Sequence, residues 1–179
     1  MGKKVVVLST SLRANSNSEA LAEQFAKGAK EAGNNVEMIS LRGKKIDFCI
    51  GCLACQNTGS CVIKDDAIEI TEKVLNADVV AWATPIYYYE MSGQMKTLID
   101  RMNSMFPKEY KFRDIYFMAS ASEDAEYVPE RAIAGLQGWI DCYEKAKLMG
   151  SIFCGDVTSP GDISGNDKLK AAYVMGKGI

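Results

Sequence analysis

A chain of 179 residues, 47% hydrophobic and 25% charged, is long enough for one domain with a full core, and its composition excludes a disordered or fibrous protein. The formal net charge of −2, with both signs interspersed, excludes the basic footprint of a nucleic-acid-binding protein. The chain has no histidine, which excludes Ser–His and Cys–His nucleophiles, histidine-ligated zinc and histidine general bases, and leaves the chemistry to a cofactor, cysteine, tyrosine, carboxylates or lysine.

The first apolar run, Lys4–Ser9, is short, β-branched and uninterrupted, as expected of a strand buried on both faces in a parallel sheet. It is too short for a secretion signal, and no later stretch is long enough to cross a membrane, so the expectation is a cytoplasmic protein with no membrane partner. A polar loop, Thr10–Ser16, leads into a helix over Ser18–Ala32 that Gly33 ends, followed by a strand over Val36–Leu41. After an irregular stretch, Arg42–Asp65, a helix capped by Asp65 or Asp66 runs to about Asn76. Asp78–Ala83 reads as a third buried strand broken by Pro85, with a helix over Ser92–Met105 behind it. Asp114–Ser120 is a fourth strand, Pro129 to about Tyr143 a helix, Ala146–Cys154 a fifth strand and Asp167–Met175 a closing helix. Strands separated by helices predict an α/β three-layer sandwich in one domain over residues 1–179, a doubly wound parallel sheet of five strands in order 2-1-3-4-5. No linker or internal repeat is visible.

Ligands of such sheets sit at the carboxyl ends of the strands, at the switch point between strands one and three. The loop after strand one carries Ser11, Arg13, Asn15, Ser16, Asn17 and Ser18. A helix start offers unpaired N–H groups and partial positive charge to a phosphate. The hydroxyls of Ser11, Ser16 and Ser18, the amide of Asn17 and the cation of Arg13 would complete the cradle, whereas capping and turn formation alone would use the same residue types. No G-x-G-x-x-G is present, so a permanently bound dinucleotide is not indicated. After strand three, Tyr87, Tyr88 and Tyr89 follow one another and cannot all enter the core. An exposed tyrosine at this end suits the wall of a flavin site, and equally a subunit interface.

These two loops, Ser-x-Arg-x-x-x-Asn-Ser followed by Thr84-Pro-Ile-Tyr-Tyr with Ser92-Gly-Gln-Met-Lys96 and Asp100-Arg101, resemble the NADPH-dependent FMN reductase group of flavodoxin-like proteins, specifically up to about Arg101 and more weakly beyond. The resemblance implies that Ser11, Arg13, Asn15, Ser16, Asn17 and Ser18 hold the phosphate of FMN. It further implies that Pro85, Ile86, Tyr87 and Tyr88 hold the isoalloxazine, and that the loop from Ser120 to Glu123 closes over the ring's other edge. Where the family usually reads Gly-Ser-Pro-Arg this chain has Thr10-Ser11-Leu12-Arg13, and Ser16 stands where glycine is common. Lys96, one turn into a helix, reads as a solvated surface lysine.

Four of the six cysteines fall within 13 positions, Cys49-x2-Cys52-x2-Cys55-x5-Cys61, in the irregular stretch. Loops of that length usually carry function. Without an export signal, metal or redox use is a better reading than disulfides. Four thiolates at these gaps match the complement of a [4Fe–4S] cluster, with a four-cysteine zinc site or free thiols as the alternatives. With this motif the chain resembles the iron–sulfur flavoprotein branch, which implies a [4Fe–4S] cluster and an electron relay that crosses a subunit boundary in a homodimer or homotetramer. Cys142 and Cys154 read as isolated buried thiols. The expected activity is an FMN-dependent oxidoreductase using NAD(P)H as co-substrate, with a small molecule or a protein as electron donor or acceptor. The alternatives are an electron carrier served by a ferredoxin-type donor, and a redox-sensing module built on the cysteine loop.

Overall fold

The structure, a computed structural model, describes residues 2–179. The β-branched run at the start becomes β1 (Lys4–Ser9), and Val5 through Ser9 are fully buried because strands flank it on both sides. It pairs in parallel with β2 (Asn35–Ser40) and with β3 (Val79–Tyr87). The sheet continues in parallel through β5 (Asp114–Ser120) to β6 (Lys147–Cys154), with a bulge in the last pairing between Ile115 and Tyr116. The path β2-β1-β3-β5-β6 is the expected doubly wound order once a two-residue strand, β4 (Glu90–Met91), is counted.

Two departures from the expected elements lie beside the site. Pro85 does not end β3, which runs on to Tyr87. Ladder pairing with β1 stops at Ser9 opposite Ala83, so beyond that point β3 has a flank with no ladder, where a residue lacking N–H is tolerated. The strand then reverses through Tyr88 and Tyr89 into β4, an antiparallel hairpin in which both turn residues have positive φ (51° and 64°). The helix expected over Ser92–Met105 divides into α4 (Gly93–Arg101) and a 3-10 turn (Met102–Met105).

The remaining helices are α1 (Asn17–Glu31), a single turn α2 (Ala54–Thr58) inside the cysteine loop, α3 (Asp66–Leu75), α5 (Glu130–Ile140) and α6 (Asp167–Lys177). Alternation along β1 sends Val6 and Leu8 to one core layer, with Trp82, Phe112, Phe117 and Trp139, and Val5 and Val7 to the other, beneath α1 and α6. Cys154 is buried as expected, but Cys142 is exposed, because α5 ends at Ile140 and leaves it in the following turn.

Helices α1 and α6 touch backbone to backbone. A Cβ on Gly28 would stand 2.0 Å from the Tyr173 carbonyl oxygen, and one on Gly176 would stand 2.0 Å from that of Phe25. The Gly28→Ala substitution therefore has to push the helices apart. The expected cost is about 2 kcal/mol, a fall of roughly 5 °C in melting temperature that a thermal melt will read.

Candidate functional site at the carboxyl edge of the sheet

The loop after β1 crosses the carboxyl edge of the sheet and ends in a helix cap. Ser16 is the N-cap of α1, its hydroxyl oxygen accepting from the Glu19 N–H at 3.2 Å. Ser11, 2% exposed, accepts from the Arg13 N–H at 3.3 Å. Ser18 is fully buried, and its hydroxyl has no partner. A buried hydroxyl left unpaired costs on the order of 1–3 kcal/mol. Its place in the first turn of a helix, where N–H groups are also unpaired, makes it a donor waiting for an acceptor.

One cleft collects Ser11, Arg13, Ser16, Asn17, Ser18, Pro85, Ile86, Tyr87 and Ser120. Residues separated by more than 100 positions are thus brought to one place by three crossovers on the same sheet edge. Two residues named from the sequence lie elsewhere. Asn15, in left-handed conformation with φ 54°, faces a neighbouring depression beside Glu19 and Arg42. Tyr88 is 98% exposed at the hairpin tip, outside the cleft. Asn17 lines the cleft, but its side-chain amide is engaged by the last loop: Nδ2 donates to the Ser159 carbonyl at 3.0 Å, and Oδ1 accepts from the Ile163 N–H at 3.2 Å. Arg13 likewise donates to the Thr158 carbonyl at 2.9 Å.

The β6–α6 loop, with Val157, Thr158 and Pro160, forms a further wall, as do Ala121 and Ser122. The run Thr158-Ser159-Pro160-Gly161 after the fifth strand was the signal for it, since it is turn chemistry at a carboxyl end. Beneath the cleft a buried hydroxyl knot joins the first and third loops. Thr10 Oγ1 and Ser92 Oγ are 3.0 Å apart, Thr84 Oγ1 donates to Ser92 Oγ at 3.2 Å, and Ser92 N–H donates back to Thr84 Oγ1 at 3.0 Å. At the rim, the Tyr89 hydroxyl donates to Glu123 at 3.0 Å, and the Tyr127 hydroxyl donates to the same carboxylate. These bonds to an anion, and its charge, raise both phenol pKa values.

The second cluster is the cysteine loop. Cys49, Cys52, Cys55 and Cys61 all line one small cavity, together with Arg101 and Asn103. Among the described residues no three cysteine, aspartate or glutamate side chains converge on a point that would hold a single ion. Four thiols lining one cavity supply the donor number of a [4Fe–4S] cluster, in which each thiolate would bind a different iron, and equally that of a four-cysteine zinc site. Asn103 Nδ2 donates to Cys55 Sγ at 3.5 Å, and the Gly51 N–H donates to Cys49 Sγ at 3.4 Å.

Arg101, quoted in the sequence only as part of a motif, is the residue that holds this loop. Its side chain and that of Asp65 are both fully buried, joined by two bonds of 2.6 and 2.9 Å. The same guanidinium donates to the Asp47 carbonyl at 2.7 Å and the Ile63 carbonyl at 3.0 Å. Burial opposes ionisation of Asp65, but the hydrogen bonds from Arg101 and from the Asp47 and Ala67 N–H groups outweigh it and hold the carboxyl below its usual pKa. Burial also works against the charged form of Arg101, and Asp65 and Cys61 reverse that. An ion pair spanning 36 positions leaves no periodic trace in a sequence, so nothing short of the fold could reveal it.

Known proteins place these features in context. An iron–sulfur flavoprotein from Archaeoglobus fulgidus is 37% identical over 99 residues, 55% of this chain and 45% of that one. One from Methanocaldococcus jannaschii is 38% identical over 98 residues, 55% and 51%. The chain thus spans about half the length of these two relatives. A third, from Methanosarcina thermophila, is 28% identical over 164 residues, 91% and 83%. In fold, the chain is similar to an NAD(P)H:quinone oxidoreductase from Methanothermobacter marburgensis (TM-score 0.76, 19% identity, 99% and 96% covered) and to an azoreductase from Bacillus anthracis (0.75, 15%, 99% and 100%). The profile of one family matches residues 3–128, the segment that contains the β1–α1 loop, the cysteine loop and the β3–β4 hairpin. By that match the chain belongs to the NADPH-dependent FMN reductase family.

Proposed function

We propose that this protein is an FMN-dependent oxidoreductase that takes electrons from NAD(P)H, with the cysteine loop holding a [4Fe–4S] cluster. The observation that carries the flavin part is the unpaired Ser18 hydroxyl at the start of α1, in a cleft lined by the residues named for FMN. When bound, FMN supplies the electron chemistry, accepting hydride and releasing electrons singly or in pairs. The protein's part is to bind and orient. The N–H groups of the first turn of α1 and the hydroxyls of Ser11, Ser16 and Ser18 would receive the phosphate. Arg13 adds positive charge there while its bond to Thr158 ties down the last loop. The enclosed space is about 150 Å3, below the roughly 300–1,000 Å3 of pockets that surround a whole ligand. The cleft therefore suits the phosphate and ribityl end, and the planar ring would extend beyond it along the wall formed by Pro85, Ile86 and Tyr87, with Ser120 in the lining.

Among the described residues, no helix is long and apolar enough to cross a membrane. A cytoplasmic setting, where thiols stay reduced, belongs to the same reading. So does a homodimer or homotetramer, supported by Phe48, Ile50, Leu53 and Tyr88, which are large and exposed near the two sites. A second reading, an electron carrier between protein partners, is favoured by the four thiols on one cavity. Anaerobically purified protein is expected to show two visible flavin bands and a broad absorbance that bleaches on reduction. The Cys52→Ala variant is expected to lose only the broad component. Turnover of NADPH with a quinone supports the reductase, and negligible turnover with fast exchange from ferredoxin supports the carrier. A colourless protein that takes up no added FMN overturns both.

A further inference from the structure

The sequence leaves Arg101 without a role, and the flavin cleft does not use it. It is the last residue of α4, yet its side chain is fully buried, where a terminal arginine is ordinarily solvated. Its bonds fall on both ends of the four-cysteine run. The Asp47 carbonyl lies two residues before Cys49, while the Ile63 carbonyl and the Asp65 carboxylate lie two and four residues after Cys61. The Asp47 N–H also donates to Asp65 at 2.9 Å, so the two ends of the loop are stapled through one carboxylate and one guanidinium. Four of the five guanidinium N–H groups have directions set by these acceptors. The fifth, on Nε, is buried and makes no hydrogen bond, in a side chain that lines the cysteine cavity. An unpaired buried donor on a permanent cation, beside four sulfurs, has the character of a site that expects negative charge.

We infer that Arg101 is the positioning residue of the cysteine-held group: its fork closes the loop so that the four thiols share one cavity, and its charge favours the more reduced, more negative state of whatever they bind. The inference rests on the cluster reading above for its charge part, and on the fold alone for its closure part. Lysine keeps the charge but lacks the fork, and glutamine lacks both. The two parts are therefore separable by substitution.

In the metal-free protein, Arg101→Lys and Arg101→Gln are both expected to be cut by protease within residues 48–64 at least about tenfold faster than the parent, with far-ultraviolet circular dichroism unchanged. In anaerobically reconstituted protein, Arg101→Gln is expected to lower the midpoint potential of the bleaching component by about 59 mV, a tenfold change in the one-electron equilibrium, and Arg101→Lys to restore most of it. A purely structural arginine predicts the same potential for both variants. The Arg101→Gln/Asp65→Asn double variant, which leaves no unpaired buried charge, repeats both measurements if the single variant does not fold. Parental cleavage rates in every variant overturn the closure role. Equal potentials in the lysine and glutamine variants overturn the charge role. Parent protein that takes up no iron on reconstitution overturns the cluster reading and the charge role with it, while the cleavage rates still decide closure.

Discussion

The Ser16→Asp variant is expected to bind FMN about a hundredfold more weakly than the parent and to melt at the same temperature or slightly above it. Aspartate is as good an N-cap as serine, and a carboxylate at a helix start gains from the helix dipole, so α1 keeps its first turn. Ser16 also lines the cleft, and there the same carboxylate faces whatever anion the helix start receives. Two unit charges about 6 Å apart at an effective dielectric constant of about 20 repel by roughly 3 kcal/mol, and each 1.4 kcal/mol or so is about tenfold in affinity. Ser16→Asn, a neutral cap of the same shape, is expected to stay within a few-fold of the parent. Quenching of flavin fluorescence gives the affinities, and a thermal melt gives the stability. Parental affinity in the aspartate variant would place the phosphate away from α1 and remove the main support for the flavin site.

The Asp65→Asn variant is expected to lose about 3–5 kcal/mol of stability, a fall of roughly 10 °C in melting temperature. Asparagine can still cap α3, whose first turn Asp65 caps by accepting from the Ala67 N–H at 3.1 Å. What it cannot do is neutralise Arg101, which is left as a buried cation without a counter-charge. The pH dependence carries the same signature. Because the folded pKa of Asp65 lies below its unfolded value, its contribution is complete above about pH 4 and is lost as pH falls through the lower, folded value. Parent and variant stabilities, measured by urea unfolding from about pH 7 downward, are expected to converge below about pH 4. A constant difference down to acid would mean that the bonds from Arg101 do not depend on the carboxylate's charge.

The strands were legible because they are buried on both sides. Lys4–Ser9 and Asp114–Ser120 are unbroken apolar or β-branched runs, and their expected bounds match the structure. Pro85 misled because the rule against proline in strands applies where both flanks carry a ladder, and β3 has outrun β1 at that point. The β3–β4 hairpin had no visible signal. Its two positive-φ positions hold tyrosines rather than glycine or asparagine, so the chain accepts local strain there. The polar residues of the first loop followed from the rule that ligands gather at the carboxyl ends of the strands, whereas Pro85, Ile86, Tyr87 and Ser120 were named only by the family resemblance. Neither source showed that Ser18 is buried and unpaired in the cleft, or that Asn15, in left-handed conformation, faces a neighbouring depression instead. The cysteine spacing was plain, whereas the residues that shape their cavity, Arg101 and Asn103, belong to a distant helix and the turn after it.

The knot of Thr10, Thr84 and Ser92 ties the first loop to the third next to the cleft. Because three side-chain oxygens in direct contact set the gap separating two crossovers, the seat of the cleft is gauged in advance, and an incoming guest spends little freedom on arranging it. Tyr88 and Tyr89 at the outlying hairpin tip take no part in those contacts, so a substitution of either side chain leaves the three oxygens in place.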